Sequence, residues 1–393
     1  MGQLQMHDLR FSARSFDTLI VGAGSMGMAA GYYLSKAGNK VLLLDAGDPP
    51  HDSGSHHGST RLIRHAYGEG AAYVPLALRA QQLWLELEQE ADASVFERTG
   101  IVNIGPPGSP FMREVQRSAS QYGLSVEFPD ASEARRRWPA WQLSGEQIVS
   151  FEPDAGVLYC EQAVTSYRHL ASTLGATLRT NTLVTGIELH GQNGVSVITD
   201  KGERFTGRDL IVCAGKWSSA LLQSVGARIP VARVRKTFAW FDVTPKLFEP
   251  DVFPGFAIAS ELGQYYGFPN LDGSGLKVGR HDGGQPVAAD APLTPFGDES
   301  TDVAELESFL RRYLPAAGKL RMGKTCEYDV TPDEHFIIDR LPACSHVHVA
   351  TGFSGHGFKF ASAIGEALAE RITQGASRLD LSLFSLGRFD GSR

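Results

Sequence analysis

The chain predicts a mixed α/β protein of two parts, an α/β part opening on a βαβ unit interleaved in sequence with a part built on an antiparallel sheet. Three observations predict this. A strand, glycine loop, helix, strand unit opens the chain. Short alternating strands with polar turns fill its middle. A buried-strand pattern, a glycine-rich turn and a helix return near the C-terminus. A length of 393 residues suits two domains at roughly 100–200 residues each.

The elements follow in order. Residues 18–21, Thr-Leu-Ile-Val, form a buried-strand pattern. Gly22-Ala-Gly-Ser-Met-Gly27 follows, then a helix-forming stretch over 28–37 that Gly38-Asn39 ends. Lys40-Val-Leu-Leu-Leu44 is a second strand closing on Asp45, completing a βαβ unit. Residues 75–91 read as an amphipathic helix with Leu76, Leu78, Leu83, Trp84 and Leu87 on its apolar side. Residues 98–152 look like an inserted region of short strands and helices. Residues 184–205 alternate as a β-meander with turns at 191–194 and 200–202, running into the buried strand 209–215. Beyond Pro230, strand patterns at 237–242, 264–268 and 276–279 suggest the antiparallel second sheet, with a helix at 304–314. A strand at 347–350 and a helix over 359–375 return to the first part. The expected division is therefore 1–90, 151–225 and 321–393 for the first part, and 91–150 and 226–320 for the second.

Composition narrows the class. Hydrophobic and charged fractions of 42% and 21% are those of an ordinary globular protein. A net charge of −7 argues against nucleic acid or an anionic membrane as partner, so an anionic small molecule must be met by local cations. The four cysteines, Cys160, Cys213, Cys326 and Cys344, form no C-x-x-C pair and fit a reducing compartment. Residues 1–16 lack the apolar core of a leader, no run approaches the roughly 20 apolar residues of a membrane span, and Gly391-Ser392-Arg393 is not a peroxisomal address. A cytoplasmic setting is expected. The histidines show no H-x-x-x-H pair backed by a carboxylate, so no metal is expected.

Gly22-x-Gly24-x-x-Gly27 between strand and helix, with Asp45 closing the next strand, is the context that a dinucleotide fingerprint requires. Gly22 permits the tight turn, Gly24 lets the backbone approach a pyrophosphate, and Gly27 lets helix and strand pack. The helix N-terminus offers donors to the phosphates, and Asp45 is placed for the adenosine ribose. The fingerprint alone does not separate FAD from NAD. The meander leading into Leu210-Ile-Val-Cys-Ala-Gly-Lys-Trp217, and the late return at Gly352-Phe-Ser-Gly-His-Gly357, favour FAD.

Four segments combine glycine with dense polar and charged residues: Gly54 to Gly70, Tyr265 to His281, Gly323 to Asp339 and Gly352 to Phe360. The stretches Ser-His-His-Gly-x-Thr-Arg, Asp-Glu-His-Phe-Ile-Ile-Asp and Gly-Phe-Ser-Gly-His-Gly-Phe-Lys-Phe resemble the monomeric sarcosine oxidase and N-methyltryptophan oxidase family of FAD-dependent amine oxidases. The resemblance runs from the glycine fingerprint to Phe384.

That resemblance implies a Rossmann-type FAD-binding part and a set of roles. The family's Cys-x-Tyr segment, whose cysteine holds the flavin 8α-methyl group, matches Cys326-Glu-Tyr328, so the expected cofactor is covalent, 8α-S-cysteinyl FAD. A buried cysteine is by default a small hydrophobe; here neighbouring Lys324 is expected to favour the thiolate that attachment needs. Tyr328 is assigned to the substrate side, and Val184 and Gly355 to cofactor contacts. Lys277 matches the lysine over the flavin ring that activates oxygen; on its own it reads as a solvated strand lysine. Arg61 matches a residue working beside the flavin on the same side. Arg64 and Lys359 match the pair that holds the substrate carboxylate, the alternative for Arg64 being a surface pair with Glu69. His57, Tyr266 and His281 match polar residues that shape the cavity and tune amine protonation. His56, His65 and His335 read as supporting or structural.

The implied reaction oxidises the C–N bond of a small N-methyl amino acid, yielding amino acid, formaldehyde and hydrogen peroxide, with molecular oxygen as second substrate and a monomer as the expected state. The runs at 212–217, 234–240, 264–269 and 281–285 look closer to the N-methyltryptophan branch, while 22–27 and 352–355 look like the sarcosine branch. Ala257 stands where sarcosine oxidases place a bulkier side chain, which implies room for a larger substrate. Two alternatives remain, a flavin dehydrogenase using another acceptor and a non-catalytic flavoprotein subunit.

Overall fold

The computed structural model describes residues 15–288 and 291–389. The N-terminal stretch read for a leader lies outside them up to residue 14, as does the C-terminal tripeptide. Strand β1 (Ser15–Val21), helix α1 (Ser25–Lys36) and strand β2 (Val41–Leu44) form the expected βαβ unit. β1 is the third of five parallel strands ordered Cys344–Thr351, Arg204–Val212, β1, β2, Thr177–Arg179, with antiparallel Ile337–Leu341 at one edge. The meander strands Val184–Leu189 and Val195–Thr199 pair onto the first half of Arg204–Val212.

The central strands read as apolar runs because both their faces are covered. Ile20, Leu43 and Ile211 enter the cluster beneath α1, Val74–Ala91, Cys160–Thr173 and Ala361–Thr373. Leu19, Val21, Leu42, Leu44, Leu210 and Val212 point the other way, onto the meander. The helix Val74–Ala91 buries Leu76, Ala80, Leu83, Trp84 and Leu87, but Leu78 is exposed, off the apolar stripe. The helix Cys160–Thr173 was not recognised in the sequence.

The second sheet also has eight strands, ordered Gln285–Val287, Ala232–Val243, Leu276–Arg280, Gly263–Phe268, Gly255–Ser260, Ile101–Gly105, Ile148–Glu152, with Ala317–Val330 paired to Ala232–Val243. It is not purely antiparallel as expected: Gly255–Ser260 runs parallel to Ile101–Gly105, joining the early insertion to the late one. Two expected boundaries fall inside strands. Residue 150 lies within Ile148–Glu152, and residue 320 within Ala317–Val330, which pairs with Ala232–Val243 from Ala317 to Val330. Cys326 and Tyr328 therefore belong to the second sheet, not to the first part. Thr301–Tyr313 covers this sheet, with Phe309 stacked on Tyr265 at 4.3 Å. Thr60–Ile63, inside the segment read only as polar, is a strand of a small third sheet with Gly156–Tyr159 and Phe96–Glu97. Among the described residues no helix is long and apolar enough to cross a membrane.

Candidate active site

A cavity of about 1100 Å³ runs from the loop after β1 to the second sheet. Ordinary small-molecule pockets occupy roughly 300–1,000 Å³, so this one lies just past the upper end of that range, as an extended ligand needs.

The dinucleotide end is built by backbone geometry. Gly22 has φ +92°, and a Cβ there would stand 2.4 Å from the Cys213 carbonyl oxygen. A Cβ on Gly27 would stand 1.9 Å from Gly22 O, so Gly27 serves the close packing of loop and helix and does not reach the cavity wall. Gly24 and Ser25 do line it. Gly24 caps α1 without a side-chain hydrogen bond, leaving the first-turn N–H groups for a phosphate. The Asp45 carboxylate accepts from Ala23 N (2.7 Å) and Gly47 N (2.8 Å) and stands 3.0 Å from His51 Nε2. It thereby ties the loop to the end of β2. Val184 lines the wall nearby. A glycine cradle, an uncapped helix start and a buried carboxylate fit the adenosine and pyrophosphate of FAD.

At the other end, Ala317–Val330 places Cys326 and Tyr328 on one strand face, both in the cavity wall. Burial pushes the Cys326 thiol up; Arg61, Lys277 and Lys236 draw it back down. The expected cation was Lys324, but its Nζ stands 3.5 Å from Asp52. The cation directly opposite Cys326 is Lys236, on the neighbouring strand. The Tyr328 ring lies against Gly355, which has φ +79° and whose Cβ would fall 2.0 Å from Tyr328 Cε2. Gly355 lines the cavity as expected of a cofactor contact, and the ring above it leaves no room for a side chain.

Arg64 and Lys359 converge in the same wall. Arg64 does pair with Glu69, its Nη2 donating to both carboxylate oxygens at 2.7 and 3.0 Å. The pair is not on the surface, though: the Arg64 side chain is 6% exposed. Its Nη1 is buried with no partner among the described residues. Lys359 Nζ donates to Tyr67 Oη (3.1 Å) and His356 O (2.8 Å). Burial and Arg64 push Lys359 down to about 7. Burial works against Glu69, yet Arg64, His356 and Lys359 hold it down at about 2.

His57, Tyr266, His281 and Arg61 complete this end of the wall. Burial lowers His57 and His281 to about 4, so both are neutral at pH 7, and it raises the Tyr266 phenol. His57 Nδ1 has no partner among the described residues. Arg61 donates to the carbonyls of Ser55, His57 and Thr60. Lys277 is buried, not solvated, and stands behind the wall. Its Nζ donates to Gly58 O (2.5 Å), Thr60 O (3.1 Å) and Thr60 Oγ1 (3.1 Å), ringed by Phe238, Trp240 and Phe268 at 4.6–5.4 Å. Burial and Arg61 press it well below the usual lysine range.

Sequence reasoning missed Glu69 as a cavity residue, His356 and Lys236. Glu69 stood in view five residues after Arg64, where only a surface partner was considered. His356 lies inside the recognised Gly-His-Gly run; its ring is 2.8 Å from Tyr67 Oη and lines the cavity. Lys236 lies inside the run 234–240, which was read only for its branch of the family. His56 also lines the wall, 3.5 Å from where a Cβ on Gly24 would stand, whereas His65 contacts buried Glu152 and His335 stands 2.9 Å from Tyr73 Oη.

Fold and cavity together define a dinucleotide-binding redox protein, and residues 17–371 match the DAO family, FAD dependent oxidoreductase. Within it the chain belongs to the monomeric sarcosine oxidase and N-methyltryptophan oxidase family. It is 46% identical over 376 residues to monomeric sarcosine oxidase from Bacillus sp. (strain NS-129), covering 95% of this chain and 97% of that protein. It is 44% identical over 375 residues to N-methyl-L-tryptophan oxidase from Yersinia pestis (strain Pestoides F), covering 95% and 99%. The solved structure of L-proline dehydrogenase from P. horikoshii shares the fold, with TM-score 0.84, 23% identity and coverage of 96% and 98%.

Proposed function

We propose that the chain oxidises the C–N bond of a small N-methyl amino acid, with water and dioxygen consumed and amino acid, formaldehyde and hydrogen peroxide released. The observation that carries it is the unpartnered Arg64 Nη1, buried in the wall beside Lys359. A buried guanidinium N–H without an acceptor is costly, and a carboxylate oxygen satisfies it. Relatives of 44–46% identity carry the names of enzymes acting on sarcosine and N-methyl-L-tryptophan, which supports the same substrate class here.

FAD, when bound, supplies the two-electron acceptor and returns the electrons to dioxygen. The chain's own residues do the rest. Arg64 Nη1 and Lys359 hold the carboxylate, while Glu69 keeps Nη2 engaged and so fixes the plane of the guanidinium. His57 and His281, neutral at pH 7, do not repel a cationic amine and offer a nitrogen to its proton. Lys277, when protonated, provides positive charge for an anion developing from dioxygen; its carbonyl acceptors favour the ammonium against the burial and the Arg61 charge that disfavour it. Cys326 tethers the flavin. Ala257, small and in the wall, leaves space for a side chain larger than hydrogen on the substrate.

The test of the carboxylate site is Arg64→Gln assayed with an N-methyl amino acid and with the matching secondary amine lacking the carboxylate. The reading expects kcat/KM to fall for the former by about 10–150-fold, as for loss of a charge-assisted hydrogen bond of about 1.5–3 kcal/mol, and little for the latter. Equal losses for both would remove Arg64 from this role.

A further inference from the structure

Outside the roles assigned so far, Lys236 is a buried cation whose ammonium is fully engaged by backbone carbonyls. It lies on Ala232–Val243, only 6% exposed. Its Nζ donates to three successive carbonyls, His281 O (2.6 Å), Asp282 O (2.8 Å) and Gly283 O (2.6 Å). The same nitrogen stands 5.1 Å from the centre of the Tyr328 ring. In register, Lys236 is directly opposite Cys326. One ammonium thus joins three parts of the cavity wall: the turn that carries His281, the ring of Tyr328 and the strand position of the thiol.

Such an arrangement is expensive for a merely structural lysine. Burying an ammonium costs several kcal/mol unless it is well paired, and an uncharged donor would serve a turn as well. Here the charge has a consequence: Cys326 is itself buried in an apolar cluster with Phe238 and Trp240, where thiolate is disfavoured. Positive charge opposite it works against that penalty.

We infer that Lys236 is a positioning residue for cofactor attachment: it locks the His281 turn and the Tyr328 ring around Cys326 and supplies the positive charge that makes this thiol reactive. The inference rests on the reading of Cys326 as the flavin tether. In that attachment one C–S bond forms between Cys326 Sγ and the flavin 8α-methyl carbon. One C–H bond of that methyl group and the S–H bond break, and the two electrons and two protons released leave on dioxygen as hydrogen peroxide. The thiolate is the attacking form. The charged groups around it are Arg61, Lys277, Lys236 and Glu327, with the phenols of Tyr266 and Tyr328 neutral. Arg61 lines the cavity and Lys277 stands behind its wall; Lys236 acts from the strand paired with that of Cys326.

The test uses the full chain produced under riboflavin limitation, mixed with FAD at pH values from 6 to 9.5. Covalent attachment is followed as fluorescence of the denatured protein band, and non-covalent uptake by absorbance after gel filtration. Wild type should attach flavin, faster as pH rises to a plateau. Lys236→Met should bind FAD yet attach it at least about tenfold more slowly at pH 7, with the gap to wild type closing as pH rises through about 8, where Lys236 itself loses its proton; Lys236→Arg should stay near wild type. A purely structural role predicts equal slowing at every pH, and that result, or an unchanged profile, overturns the inference. If Lys236→Met does not accumulate folded, Lys236→Gln, which keeps donors without charge, is scored the same way. Absence of covalent flavin in wild type would instead overturn the tether reading of Cys326.

Discussion

The sharpest pH prediction concerns Lys359. With its ammonium lowered to about 7, roughly 90% of molecules carry the charge at pH 6 and roughly 10% at pH 8. If a carboxylate is held by this ammonium, binding draws a proton onto Lys359. The dissociation constant then stays nearly flat below pH 7 and rises above it, about tenfold from pH 6 to 8 and close to tenfold again by pH 9. The sign follows from the free enzyme being the less protonated partner. His57 and His281 at about 4, His356 at about 3 and Glu69 at about 2 do not titrate in this window. Asp329 at about 7 and Lys236 at about 8 do, so the control is Lys359→Met. The assay is titration of the holoenzyme with acetate, fully ionised throughout, followed by the visible flavin spectrum at constant ionic strength. Lys359→Met should bind acetate more weakly at pH 6 and lose the slope. A dissociation constant flat from pH 6 to 9, or a slope that survives in Lys359→Met, refutes the reasoning.

Other outcomes follow from the same geometry. Gly355→Ala combines a left-handed φ, about 1–2 kcal/mol, with a Cβ driven into Tyr328, about 1–3 kcal/mol; it should displace the ring and lower the midpoint of thermal unfolding, whereas an unchanged midpoint would contradict the contact. Lys277→Met should leave anaerobic flavin reduction by substrate within a few-fold of wild type while slowing reoxidation by at least about a hundredfold, some 2.7 kcal/mol; stopped flow on the two half-reactions decides. Cys326→Ser should lose the fluorescent band on a denaturing gel. His57 and His281, depressed from 6.5 to about 4, take up protons on unfolding between those values, so their share of the stability is full above pH 6.5 and is lost as pH falls towards 4; calorimetry of wild type against His57→Gln should show that decline shrink, and an unchanged decline would contradict it.

Much of this was legible because it is local. The glycine fingerprint, β1, α1 and β2 lie within about thirty residues, and their backbone demands are written in Gly22 and Gly27. Arg61, Arg64 and His57 share one short segment, and its recognition brought most of the wall with it. What escaped was non-local. Pairing of Gly255–Ser260 with Ile101–Gly105 spans some 150 residues and has no sequence pattern of its own. Lys236 went unassigned, because its acceptors are carbonyls of a turn 45 residues away. Lys277 was placed over the flavin by resemblance, but its hydrogen-bonded shell of Gly58 and Thr60 depends on a chain crossing more than 200 residues distant.

The central claim is that this chain is an N-methyl amino acid oxidase. Its most direct test is anaerobic mixing of the purified holoenzyme with sarcosine and, separately, N-methyl-L-tryptophan, followed by admission of oxygen. The account predicts that at least one bleaches the flavin, and that oxygen restores the colour with one hydrogen peroxide and one formaldehyde formed per amine consumed. A flavin left oxidised by both, or bleached flavin that oxygen fails to restore, would contradict it.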